Sequence, residues 1–145
     1  MTLPPMDKRD FETLADFRYE IRKFLRFSEQ VTRKAGITPL QYLMLLNIKG
    51  FPGRDWATIG EIAERLQAQH HGVVALVSRC EKLGLVERRR SLEDRRRIEV
   101  RLLDKGVAFL ERLSSVHRAQ LIRLDGKFSV PTAGSFVGCR PPGPS

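Results

Sequence analysis

Between Thr58 and Leu103 the hydrophobic period changes once, from the three- and four-residue steps of helices to the alternation of strands, and arginines crowd around the change. A pair of short helices followed by a basic two-stranded hairpin is the pattern of a winged helix-turn-helix. In that arrangement one helix is presented to a DNA groove, and the hairpin reaches the backbone or the neighbouring groove.

The flanking periodicities extend this reading. From Asp7 to Lys34, Phe11, Leu14, Phe17, Ile21, Phe24, Leu25 and Val31, with Ala35 just beyond, fall on one stripe of a helix roughly 40 Å long by its rise per residue. That is more than a three-helix DNA-binding core requires, so its Phe-rich face is expected to pack outside the core, against a later helix or another subunit. After Gly36, Thr38 with Pro39 and Gln41 forms a capping box opening a second helix, with Leu40, Leu43, Leu46 and Ile48 predicted inward and Gly50 to Gly53 ending the run. Thr58 with Glu61 repeats the capping box for a short supporting helix whose buried face is Ile59, Ile62, Ala63 and Leu66.

A turn near Gln67 to Gln69 leads into the recognition helix, with Val73, Leu76, Val77, Cys80 and Leu83 predicted inward and Gly84 as its end. The opposite face carries His71, Val74, Ala75, Ser78 and Lys82 toward the major groove, with Gln69 and His70 at the leading turn and Arg79 and Lys82 placed for phosphate. Leu85 and Val86, then Ile98, Val100 and Leu102, give the hairpin one apolar face, and its charged tip spans Ser91 to Arg96. From Asp104 a last helix carries Val107, Leu110, Leu113, Val116, Leu121 and Leu124, positions suited to pair with the first helix. Beyond Gly126 glycines and prolines are too dense for a helix, and residues 126–145 are read as an irregular or mobile tail.

Charge points to the same partner. Across 145 residues, 26 Lys+Arg against 17 Asp+Glu leave +9, which favours a polyanion such as nucleic acid or an acidic membrane surface. No segment approaches the ~20 apolar residues of a membrane span, and a soluble cytoplasmic protein is expected. Two distant cysteines make neither a disulfide framework nor a metal site; Cys80 reads as a small core hydrophobe and Cys139 as exposed in the tail. His117 reads as structural or solvent-facing. With no nucleophile–base pair, phosphate-binding glycine loop or metal spacing, neither an enzyme nor a cofactor is indicated.

Within the wing, Arg88, Arg90, Arg95, Arg96 and Arg97 are the candidate contacts, because guanidinium groups bind phosphate bidentately and fit a narrow minor groove. Strand alternation forbids all of them facing one way. Asp94 repels phosphate, so its expected role is to hold a wing arginine in position. His70 and His71 suit base-edge contact and bring pH sensitivity; as adjacent helical residues they diverge by about 100° and make poor joint metal ligands.

The wing segment DRRRIEVRLLDKG resembles that of the MarR family of bacterial transcriptional regulators, across about residues 8–125. Asp94 and Arg96 match its Asp-x-Arg pair, Val100 and Leu102 its Val-x-Leu strand, and Lys105 with Gly106 the step into the next helix. The chain departs from the family at Leu103, where Thr is common, at Gln69 to Gly72, where Ser or Thr often opens the recognition helix, and in the Gly/Pro-rich tail, where a further interlocking helix is usual. The resemblance implies a mainly α fold with a small β-hairpin wing. It divides the chain into a dimerisation helix at 7–35, a winged helix-turn-helix at 36–103, a second dimerisation helix at 104–125 and the tail at 126–145. It implies further a homodimer on double-stranded DNA, acting as a repressor whose operator binding a small aromatic or phenolic effector weakens. Phe17, Tyr19, Phe24 and Phe27 are the candidate lining of an effector pocket, with core or dimer packing as their other use. The competing function is a winged-helix protein-interaction module with only nonspecific DNA affinity.

Overall fold

A computed structural model describes residues 3–139 and divides into two compact units, one of residues up to Ser28 with those from Ala119 onward, the other of Glu29–Arg118. Two helices, α1 (Lys8–Lys34) and α5 (Asp104–Arg123), run through the division.

The larger unit holds α2 (Pro39–Lys49), β1 (Trp56–Ala57), α3 (Ile59–Leu66), α4 (His70–Lys82), β2 (Val86–Arg90) and β3 (Ile98–Leu102). The strands form an antiparallel sheet in the order β1-β3-β2, with Val86 opposite Leu102 and Arg90 opposite Ile98. The wing is therefore three-stranded rather than a bare hairpin. Trp56 and Ala57 pair with Arg101 and Val100, a two-residue strand too short to show any period in sequence.

Both capping boxes form as the sequence indicates. Thr38 Oγ1 accepts the Gln41 amide at 3.1 Å while Gln41 Oε1 accepts that of Thr38 at 2.9 Å. Thr58 and Glu61 repeat the exchange at 3.3 and 3.0 Å, satisfying amides at the first turn of α3 that the helix itself leaves unpaired. The core gathers Met44, Leu45, Ile48, Ile62, Val73, Val77, Cys80, Val86 and Val100.

The inward face of α2 differs from the one expected. Tyr42, Met44, Leu45 and Ile48 are buried, whereas Leu40, Leu43 and Leu46 stay exposed. The helix is apolar nearly all round, so periodicity alone does not choose a face. Tertiary partners choose it: the Tyr42 hydroxyl lies 3.1 Å from Ser114 Oγ, and its ring stacks on the buried His117 imidazole at 4.6 Å between centroids. His117 Nδ1 is 2.7 Å from the Leu113 carbonyl, a structural setting for that histidine.

Leu83, expected inward, is also exposed. It is the last residue before Gly84, whose φ of +74° turns the chain out of the helix, and its carbonyl accepts Lys105 Nζ at 2.8 Å. Gly106 lies against the backbone of Leu85, whose carbonyl accepts the Leu103 amide at 2.9 Å. A Cβ at Gly106 would stand 3.0 Å from the Leu85 carbonyl carbon and closer still to its oxygen. The Lys-Gly step into α5 thus has a packing cause.

Burial alone pushes the Cys80 thiol up to about 11. At neutral pH it is neutral and enclosed, and unsuited to redox sensing. In a thiol titration of the native protein, one group per chain, Cys139, is expected to react, with the second appearing only on unfolding. Two fast thiols in the native protein would contradict this.

In the smaller unit the first turn of α1 is closed by a reciprocal pair: Asp7 Oδ1 accepts the Asp10 amide at 3.1 Å, and Asp10 Oδ2 accepts that of Asp7 at 3.2 Å. The Val137 amide donates to Asp10 Oδ1 at 2.9 Å, tying the tail to the buried Asp10. The tail expected to be irregular or mobile is irregular, with 3₁₀ turns at Ala133–Ser135 and Val137–Cys139, and it is folded back on α1. Phe128 stacks on Phe17 at 6.0 Å, and a Cβ on Gly138 would stand 2.9 Å from Pro4 Cβ. Cys139 is half-buried here, in a cavity of about 330 Å³ with Leu3, Met6, Leu14 and Phe136. The remainder of the tail, 140–145, lies outside the described residues. Among the described residues no helix is long and apolar enough to cross a membrane.

Candidate nucleic-acid interface

The chain enters α4 through Gln67, the one non-glycine residue with positive φ (51°) among those described, which ends α3 in the left-handed region. Gln69 stands at the N-cap and makes no capping hydrogen bond with its side chain. From there Gln69, His70, His71, Val74, Ala75, Arg79 and Lys82 are exposed. This is the face predicted for the major groove, small at its centre and basic toward its end.

Ser78 is half-buried and already occupied. Its hydroxyl donates to the Val74 carbonyl at 3.0 Å and accepts Arg88 Nη2 at 3.1 Å. Arg88 also reaches the Val74 carbonyl at 3.2 Å and pairs with Glu81. Its guanidinium is thus turned onto α4, bracing helix to strand, and is not presented outward as a DNA contact. Alternation places Arg89 on the other face of β2, exposed and paired with Glu87 at 2.5 Å. Arg89, within the arginine cluster 88–90, is thus the member of that cluster turned away from α4.

At the wing tip the buried Ser91 organises the loop. Its hydroxyl accepts the amides of Glu93 and Asp94, both at 3.2 Å, and Arg97 Nη2 at 3.0 Å, while its own amide donates to the Arg97 carbonyl at 2.9 Å. Arg90 closes the arch by donating to the Arg95 carbonyl at 2.7 Å. Asp94 Oδ1 accepts the Arg96 amide at 3.0 Å and lies 3.6 Å from Arg96 Nε, so this carboxylate positions Arg96, whose side chain is 95% exposed. Among the described residues Arg79, Lys82 and Arg95 make no ion pair, and all three are exposed.

Arg97 is directed inward instead. It pairs with the buried Glu99 at 3.2 Å, and Arg101 takes the other Glu99 oxygen at 2.8 Å. Burial pushes the Glu99 carboxyl up, but hydrogen bonds from Arg101 and Arg97 outweigh it and leave the group below the usual carboxylate range. A carboxylate lowered on folding contributes stability above its unfolded pKa, lost as pH falls through the folded value. Glu99→Gln is accordingly expected to lower the unfolding midpoint at pH 7 and to flatten part of the acid limb; an unchanged acid limb would remove Glu99 from that role.

The guanidinium groups of Arg54, Arg97 and Arg101 lie over the Trp56 ring at 3.8, 4.7 and 5.9 Å, where its π face offsets the lack of hydrogen-bond partners for the buried Nε atoms of Arg97 and Arg101. Trp56, half-buried, and the buried Ser91 and Glu99 thus support the wing from within. A lone Trp, Ser or Glu carries no spacing that would have marked it in the sequence.

Of the four aromatics proposed for an effector pocket, Phe17 lines a cavity of about 240 Å³ with Asp16, Glu20, Lys127 and Phe128. Tyr19 is exposed beneath Lys23 Nζ at 4.7 Å from its ring centre, away from that lining, and Phe24 and Phe27 are half-buried on α1.

A short supporting helix, an exposed recognition helix and a basic three-stranded wing define a winged helix-turn-helix protein. Residues 35–97 match the model of the MarR family. Over 121 residues the chain is 28% identical to a putative transcriptional regulatory protein for the hcr operon of Thauera aromatica, covering 83% of this chain and 71% of that one. It is 30% identical over 90 residues to the HTH-type transcriptional repressor MdtR of Bacillus subtilis, covering 62% and 56%. A MarR family protein from Bacillus stearothermophilus superimposes with a TM-score of 0.71 at 25% identity, over 86% of each chain. Over residues 35–97 the chain thus resembles the MarR family, and both relatives are named as transcriptional regulators.

Proposed function

We propose that this protein is a sequence-specific DNA-binding transcriptional repressor of the cytoplasm, acting as a homodimer on double-stranded DNA. The observation that carries the reading is the exposed face of α4, open at Gln69, His70, His71, Val74 and Ala75, and flanked by the exposed cations Arg79, Lys82 and Arg95 and the outward Arg96. Small side chains let the helix approach base edges, and the cations neutralise phosphate on either side. Repression follows from occupancy of promoter DNA, in keeping with relatives named as a regulator and a repressor. Exposed Phe11, Leu14, Leu121 and Ile122 in the smaller unit supply apolar surface for a subunit contact. The cavity beside Phe17 is the candidate place for an aromatic or phenolic effector that weakens operator binding.

Arg96→Ala tests the wing. Loss of one phosphate contact is expected to weaken binding and to reduce the slope of log affinity against log salt by about one. An anisotropy titration over a range of salt concentrations reads both. Unchanged affinity and slope would remove Arg96 from the interface.

A further inference from the structure

Leu92 is 100% exposed at the wing tip and is the one apolar residue between Glu87 and Arg97. On a slack loop a lone exposed leucine means little. This loop is closed from within: the Ser91 hydroxyl fixes the amides of Glu93 and Asp94, the Arg97 amide donates to the Asp94 carbonyl at 3.0 Å, and Arg90 ties down the Arg95 carbonyl. Leu92 is held outward on a shaped arch, next to the exposed Arg95 and the outward Arg96.

We propose that Leu92 is a minor-groove wedge that gives the wing a preference for deformable base steps, an inference that rests on the DNA-binding reading above. Leucine can neither bind phosphate nor hydrogen-bond to a base edge, so against DNA it gains only by leaving water among sugars and base faces. Apolar side chains used in this way partly unstack a base step, and pyrimidine–purine steps yield most easily. The neighbouring arginines anchor the backbone on either side, and the ordered arch removes the entropy that a floppy loop would lose on insertion. The wing then discriminates among sequences without reading any base edge.

The test uses the full chain and a duplex of about 30 bp, long enough for two half-sites and their flanks, recovered by the wild-type protein from a random pool. Footprinting locates the step under the wing, and 2-aminopurine is placed there. Leu92→Ser is expected to bind about tenfold more weakly, in the range of one lost base-pair contact, with an unchanged salt slope because no charge is removed. Leu92→Met is expected to retain affinity. The 2-aminopurine fluorescence is expected to rise with wild type and Leu92→Met but not with Leu92→Ser. Replacing the flexible step by a stiff one is expected to weaken wild type and leave Leu92→Ser unaffected. Equal affinity and equal fluorescence for wild type and Leu92→Ser would overturn the wedge while leaving DNA binding intact. Failure to recover any duplex would overturn both, and the two failures are distinct.

Discussion

Gly106→Ala is expected to destabilise the winged helix by about 1–3 kcal/mol or more, the range for forcing extra volume into a packed site. Alanine is favoured over glycine inside a helix by about 1 kcal/mol, so propensity argues for the opposite sign. Packing decides it. The added methyl would overlap the Leu85 carbonyl oxygen and come within 3.3 Å of Leu85 Cα, all backbone atoms fixed by the turn after α4 and by the Leu103 amide. Relief requires α5 to move off the sheet. Gly60→Ala in α3, where a Cβ meets nothing within 4 Å, is the matched control and is expected to be neutral or stabilising. Denaturant unfolding of both variants checks the pair, and equal midpoints would contradict the packing account.

Ala75→Glu is expected to reduce specific DNA affinity about a hundredfold while leaving the fold intact. Ala75 is exposed at the middle of α4, so glutamate there removes no core contact and keeps good helix propensity. Against DNA the same side chain blocks close approach to the groove floor and sets a carboxylate among phosphates. A well-made base contact is worth about 1–3 kcal/mol, and charge repulsion adds to its loss. Circular dichroism and thermal unfolding matching wild type, beside the loss in anisotropy, would place the effect at the interface. Undiminished binding would show that α4 does not face the groove.

Much of this architecture is legible in the chain because local rules agree along it. Each Thr-x-x-Gln/Glu box starts its helix, and the three- and four-residue steps of α3 and α4 bury Ile62, Val73, Leu76, Val77 and Cys80 as expected. Illegible were choices made by tertiary partners. Helix α2 has leucines on several faces, and only the Tyr42 contacts to Ser114 and His117 select one. Arginines 88 to 90 and 95 to 97 look alike in sequence, yet Glu81 captures Arg88 and Glu99 captures Arg97, leaving the outer surface to Arg89, Arg90, Arg95 and Arg96. Over the described part of the tail, the glycines and prolines go with 3₁₀ turns and no α-helix. They could not reveal that the Val137 amide would find Asp10, more than a hundred residues earlier.

The central claim is that α4 and the wing read a particular DNA sequence, and selection of duplexes from a random pool by the full-length protein, under excess unrelated competitor, tests it most directly. The expected result is convergence on an inverted repeat with half-site centres about 10–10.5 bp apart, or a multiple of that, bound competitor-resistantly in anisotropy and lost with Ala75→Glu. A pool that never converges, with binding titrated away by any DNA, would contradict the claim and leave the basic surface as a nonspecific attraction beside a protein-interaction fold.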